Sequence, residues 1–143
     1  MYKIAIIAAK GGVGKTTTAV LTAAALSRLD ETVTLLDTDP QTSAATWVNY
    51  AAQTADPLPF QAVKAGLEFP RAPLPPTQWA LLDTPPGDEK IIQAALKWAD
   101  LAVIPTRPGA LDLLQLMPLL AEAEKTRTTA AVLTVQTRAA VKE

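Results

Sequence analysis

The stretch AKGGVGKTTT, Ala9 to Thr18, packs two lysines, three glycines and three threonines into ten residues. Glycine tolerates backbone angles that side chains forbid. Gly11, Gly12 and Gly14, with Val13 between them, therefore let successive N–H groups converge on an anion. A short apolar run precedes the stretch and a helical pattern follows it, so the positive end of a helix adds to the same field. Lys15 would set an ammonium against terminal phosphates, and Thr16 would offer its hydroxyl to magnesium. The segment Lys10 to Thr17, Val13 and Thr17 included, reads as a cradle for ATP with Mg2+. The general G-x-x-x-x-G-K-[ST] rule asks for glycine where this chain has Ala9, and the chain adds a lysine, Lys10, ahead of the glycines.

Acidic residues stand at the ends of two later apolar runs. Asp83 closes one, where a carboxylate can reach a magnesium ion, usually through water. Asp37 and Asp39 stand two apart at the end of another, and residues so spaced in a strand share a face. The Asp39-Pro40 pair is also ordinary turn chemistry. The sequence contains no Cys and no His. That excludes disulfides, thiolate chemistry, iron–sulfur clusters, histidine catalysis and the usual zinc sites. A metal here must be a hard cation held by oxygens, magnesium before zinc. A net charge of −1 gives no basic field that would advertise nucleic acid. No apolar stretch approaches the ~20 residues of a membrane span. The chain reads as cytoplasmic and, at 143 residues, as a single domain over 1–143.

The elements that must position these residues alternate along the chain. Tyr2 to Ala9 is apolar on both faces, as a buried parallel strand would be. Lys15 to Leu29 has helical spacing. Val33 to Leu36 predicts a second strand, Asp37 to Thr42 a turn, and Ser43 to Ala52 a short helix capped by Thr42 or Ser43. Asp56 to Thr77 holds half of the prolines and reads mostly as surface loop, with a short edge strand at Phe60 to Lys64. Trp79 to Leu82 predicts a strand, Asp88 to Trp98 a helix, and Leu101 to Pro105 a strand. Leu111 to Lys125 is helical by pattern, with Pro118 kinking or splitting it; its Leu111 to Leu120 stripe reads as packing. Ala130 to Val135 predicts the last strand. Trp47, Trp79 and Trp98 read as core. Alternation of this kind predicts a three-layer α/β fold, a parallel sheet flanked by helices. Ligands in such sheets sit at the carboxyl ends of strands, where every polar motif above lies.

The whole set resembles the ParA/MinD superfamily of P-loop ATPases with a deviant Walker A motif. LLDTDPQTSAATW (Leu35 to Trp47) is similar to the family's second acidic motif, ALLDTPPG (Ala80 to Gly87) to its Walker B strand and turn, and AVIPTRPGALDL (Ala102 to Leu113) to its next strand and loop. The form looks most like small plasmid-type ParA partition proteins. The resemblance implies a slow, partner-stimulated ATPase with Asp39 near the attacking water and Asp37 in the magnesium or switch environment. It implies that the Gly87 backbone approaches the gamma-phosphate, that Arg107 lies where the family holds adenine, and that Pro105 shapes that loop. It also implies that Lys10 reaches across a two-fold interface to the partner's nucleotide, so that two ATP molecules are sandwiched in a homodimer.

Further expectations follow from the same likeness. Plasmid or chromosome partition with a centromere-binding, ParB-like adaptor is the leading function, and positioning of another cargo or a dimerising module with little hydrolysis are the alternatives. The late basic residues are only Lys125, Arg127, Arg138 and Lys142, which argues against non-specific DNA binding by this chain. There is no C-terminal amphipathic helix for a membrane. The last strand, taken to Thr137, lacks the Asn–Lys/Arg pair that some relatives place near adenine. The C-terminal part of the family fold is expected to be missing.

Overall fold

The computed structural model describes residues 1–136. Thr137, Arg138 and Lys142, named above, lie outside the described residues. Six strands form one wholly parallel sheet in the order β3-β2-β4-β1-β5-β6. They are β1 (Tyr2–Ile6), β2 (Val33–Asp37), β3 (Gln61–Lys64), β4 (Trp79–Asp83), β5 (Leu101–Thr106) and β6 (Thr129–Thr134). The helices between them are α1 (Lys15–Ser27), α2 (Ser43–Ala51), α3 (Glu89–Trp98) and α4 (Ala110–Thr126).

Both faces of the central strands β2, β4, β1 and β5 are buried, which is why they are apolar throughout rather than alternating, whereas the edge strand β6 is largely exposed. Ile4, Ile6, Val33, Leu35 and Leu81 pack with Ala19, Val20 and Ala23 of α1 and with Ala44 of α2. Ala5, Leu36, Leu82, Ala102 and Ile104 point the other way, into Ile92 and Leu96 of α3 and Leu116 and Leu119 of α4. The helices thus divide two and two across the sheet, as expected.

β1 and β4 are neighbours, in register from Tyr2 opposite Trp79 to Ile6 opposite Asp83. The chain leaves β1 through α1 on one face and leaves β4 through α3 on the other. Diverging connections open a crevice at the strand ends, the place where such sheets bind ligands.

Four expectations need correction. Pro118 does not split α4, which runs unbroken from Ala110 to Thr126. The stripe on that helix is not all packing: Leu116 and Leu119 are buried, but Leu111, Leu113, Leu114 and Met117 are exposed, because they lie round the helix from the Leu116, Leu119 and Ala123 face that packs on the sheet. Trp47 is exposed, unlike the half-buried Trp79 and Trp98. Neither Thr42 nor Ser43 caps α2 with its side chain, since the acceptor comes from Asp37 instead. The proline-rich segment also contributes to the core: Phe69, in a 3-10 turn at Phe69–Arg71, is fully buried and packs edge-to-face on Trp98 at 5.6 Å.

Candidate functional site

The glycine turn follows β1 and ends where α1 begins. Gly14 occupies the N-cap of α1 with φ 82°, and Gly12 has φ 73°. Both lie in the left-handed region that side chains avoid. Gly11 does not, so its presence is not a matter of backbone angle; a Cβ there would meet Pro86 at ordinary contact distance. Lys15, Thr16 and Thr17 are the first three residues of α1, and their N–H groups face outward without helical partners. Val13 is buried, which leaves only its backbone for the cradle. A cleft of about 420 Å³ opens here, lined by Gly11, Gly12, Gly14, Lys15, Thr16, Thr17, Asp39, Pro86 and Gln136.

Thr16 Oγ1 donates to Asp83 Oδ2 at 2.7 Å. Asp83 is fully buried, and its other oxygen, Oδ1, has no hydrogen-bond partner among the described residues. Burial pushes its carboxyl up to about 6, against the lowering effects of the Thr16 hydrogen bond and Lys15. A buried carboxylate with an orphaned oxygen is costly unless something satisfies it. A hydroxyl and a carboxylate beside a phosphate cradle form the donor set magnesium uses, few protein oxygens completed by phosphate and water. Among the described residues there is no cluster of three His, Cys, Asp or Glu that would make an all-protein metal cage. The residues present therefore fit a magnesium ion carried in with nucleotide.

Lys15 is buried, and desolvation holds its ammonium below the usual lysine range despite the pull of Asp83 and Asp39. A poorly solvated cation is primed for an anion. Asp37 and Asp39 do not share a face, because β2 ends at Asp37 and the chain turns. Asp37 is buried; it accepts N–H groups from Asp39 (3.1 Å, Oδ1) and Ala45 (2.8 Å, Oδ2), so it anchors the start of α2. Asp39 lines the cleft, with Oδ1 accepting the Gln41 N–H at 2.9 Å. Gly87 has φ 66°, and its N–H donates to Ala8 O at 3.3 Å. A Cβ on Gly87 would stand 3.0 Å from Ala9 O, so the turn after β4 lies directly on the glycine loop.

Lys10 does not line this cleft. Its Nζ lies 2.5 Å from Asp112 Oδ1 on α4. Arg107 Nε lies 3.6 Å from the same oxygen. The two cations hold the Asp112 carboxyl below the usual range, Lys10 foremost and Arg107 by its charge. Pro105 lines a recess with Lys10 and Asp112. Neither Arg107 nor Pro105 is among the residues lining the cleft at the phosphate cradle.

Sequence reasoning missed several contributors. Thr38 Oγ1 donates to Asp83 O at 2.7 Å, and Thr84 Oγ1 to Ile6 O at 2.8 Å, stitching the strand ends together. A threonine beside each strand-end aspartate was the available signal. Gln136 Nε2 donates to Gly12 O at 3.3 Å across the cradle, and no local pattern announces it.

A strand, a left-handed glycine turn and a helix N-terminus at the divergence point of a parallel sheet define a P-loop NTPase-like nucleotide-binding fold. The family model of the CobQ/CobB/MinD/ParA nucleotide binding domain matches residues 4–140, and the chain belongs to that family. It is 37% identical over 119 residues to Maintenance of carboxysome distribution protein A of Gloeobacter kilaueensis, covering 77% of this chain and 51% of that one. It is 30% identical over 130 residues to Protein ParA of Rhizobium radiobacter, covering 87% of this chain and 59% of that one. The chain thus spans about half to three-fifths of these relatives. Similar folds are a plasmid partition protein from Borrelia burgdorferi B31 solved with AMPPNP (TM-score 0.76, 17% identity, 96% of this chain and 76% of that one) and the MinD cell division protein of Aquifex aeolicus (TM-score 0.75, 21% identity, 94% and 69%). At these identities the structures speak for the fold alone. No helix among the described residues is long and apolar enough to cross a membrane.

Proposed function

We propose that the chain binds ATP with Mg2+ and acts as a ParA-like ATPase. The observation that carries this reading is the hydrogen-bonded Thr16–Asp83 pair, with its orphaned Asp83 oxygen, buried beside the glycine cradle. Thr16 and Asp83 would hold the metal; magnesium, when bound, neutralises phosphate charge and orients the terminal phosphate. The N–H groups from Gly11 to Thr17 bind and align the phosphates. Lys15, poorly solvated, adds the charge that favours the more negative transition state. Asp39 orients water at the edge of the cleft, which needs positioning more than basicity. Gly87, pressed on the carbonyl of Ala9, transmits the presence of the terminal phosphate to the start of α3.

In this reading Lys10 acts in trans. Lys15 already serves the bound phosphates, so the second lysine completes a partner's site in an ATP-sandwich homodimer. Turnover is slow alone and is raised by an adaptor of the ParB type. The cell function is plasmid or chromosome partition, carried out in the cytoplasm or on the nucleoid. Positioning of another cargo is the second reading, favoured by the 37% identity to a carboxysome distribution protein. Measured ATP hydrolysis, with and without DNA and the product of a neighbouring small DNA-binding gene, tests the choice. Stimulation by that product supports partition; turnover indifferent to it removes partition in favour of another cargo.

A further inference from the structure

We infer that the chain carries a second small-molecule site, at the end of the sheet away from the phosphate cradle, and that it takes a small aromatic carboxylate. A cavity of about 410 Å³ lies there, within the range of ligand pockets. Lys3 at the start of β1, Trp98 at the end of α3, and Phe69 with prolines from the segment before β4 line it. β1 runs from this cavity to the glycine turn, so the two sites stand at opposite ends of one strand. The inference does not rest on the nucleotide reading.

The walls are rigid and apolar. Pro70, Pro75 and Pro76 have a fixed φ and no N–H, so they add apolar surface and have little freedom to lose on binding. Phe69 is fully buried and braced edge-to-face by Trp98. A flat apolar body therefore meets preformed partners.

The charge is single and unpaired. Lys3 Nζ lies 5.6 Å from the centre of the Trp98 ring, a cation–π distance. Among the described residues the cations in ion pairs are Lys10, Arg107 and Lys125, and no carboxylate pairs with Lys3. The neighbouring acid, Asp100, accepts the Lys3 backbone N–H at 2.8 Å and does not line the cavity. The Asp100 N–H returns to Lys3 O at 2.9 Å, so the backbone that carries the ammonium is fixed. Thr77, the other polar side chain in the lining, has its hydroxyl 2.9 Å from the carbonyls of both Thr32 and Trp79, which occupy its one proton. What the lining offers is one ammonium beside aromatic and proline rings. The matching ligand joins one negative charge to a flat apolar body, and a carboxylate suits a lone ammonium better than a phosphate dianion does.

Amide NMR spectra of the whole chain, titrated with naphthoate and separately with neutral naphthamide, test the inference. Naphthoate is expected to shift the Trp98 indole N–H and the Phe69 and Ala72 amides, saturating with a Kd of about 1 mM, ordinary for a fragment of its size. Naphthamide should bind about fivefold more weakly, the scale of one partly exposed ion pair. Lys3→Met keeps the aliphatic stem and should bring the acid down to the affinity of the amide. Equal affinity of the parent for acid and amide overturns the inference without recourse to any variant. A preference that survives Lys3→Met overturns it too, as do shifts centred on the exposed leucines of α4 or a titration that never saturates. None of these readouts involves ATP, so failure of the nucleotide reading is recognised separately.

Discussion

The Asp37 carboxylate ends β2 and accepts the Ala45 N–H at 2.8 Å, so one buried side chain ties the strand that leads to Asp39 to the helix that follows it. It also accepts the N–H of Asp39 itself at 3.1 Å. The position of Asp39 at the cleft is therefore set by Asp37, and α2 has its cap supplied from a neighbouring strand end.

Asp37→Ala removes an N-terminal cap and leaves two N–H groups without their acceptor. The expected loss is about 1–3 kcal/mol in urea unfolding. Asp39 should lose its alignment at the same time, so the variant is expected to bind nucleotide but hydrolyse it at least tenfold more slowly. Unfolding at the parent's midpoint would show that Asp37 anchors nothing.

The buried Asp83 gives the nucleotide-free chain a pH signature. Its carboxyl is raised from 3.8 to about 6, so between those values the folded chain keeps a proton that the unfolded chain has lost. Stability from this group therefore falls as pH rises through that window, by roughly 2–3 kcal/mol in all. Asp83→Asn should remove that slope and be more stable than the parent at pH 7.5. Denaturant unfolding at pH 4.5 and 7.5, parent minus variant, measures it.

Gly12 and Gly87 separate strain from contact. Both have positive φ, but a Cβ on Gly12 meets nothing within 4 Å, whereas one on Gly87 stands 3.0 Å from Ala9 O. Gly12→Ala should cost about 1 kcal/mol, the backbone term alone. Gly87→Ala should cost more and should weaken ATP binding by moving the glycine loop. Equal melting shifts for the two would contradict the close approach.

Much of the fold was legible because a parallel sheet covered on both sides forces strands such as Leu35-Leu36 and Leu81-Leu82 to be apolar on both faces. The cradle was legible because glycine order, Lys15 and Thr16 are local, and Asp83 because it interrupts an apolar run. Asp112 was not legible: its partner Lys10 is remote in sequence, and nothing near Asp112 marks it. Phe69 was hidden among prolines that suggested loop, yet a short 3-10 turn needs no periodic pattern to bury one ring. Leu111, Leu114 and Met117 have helical spacing, but spacing says which residues share a face and not which face meets the sheet, and Leu116, Leu119 and Ala123 take that side. Asp37 and Asp39 were assigned to one face by strand periodicity, which stops where the strand does.

Lys10 and Lys15 should separate cleanly under mutation. Lys15 is buried in the cleft, whereas Lys10 is turned to Asp112. Lys15→Ala should abolish ATP binding by the single chain. Lys10→Ala should retain most of it and lose ATP-dependent dimerisation, as read by a fluorescent ATP analogue and light scattering together. Equal dimerisation of Lys10→Ala and parent would remove the role in trans.

The most direct measurement is the affinity for ATP with Mg2+ and with EDTA, by calorimetry, for the parent, Thr16→Ala and Asp83→Asn. The parent should bind at least tenfold more tightly with the metal, and both variants should lose most of that difference while still binding ATP weakly. A parent indifferent to magnesium, or an Asp83→Asn variant with the parent's full metal dependence, would contradict the account.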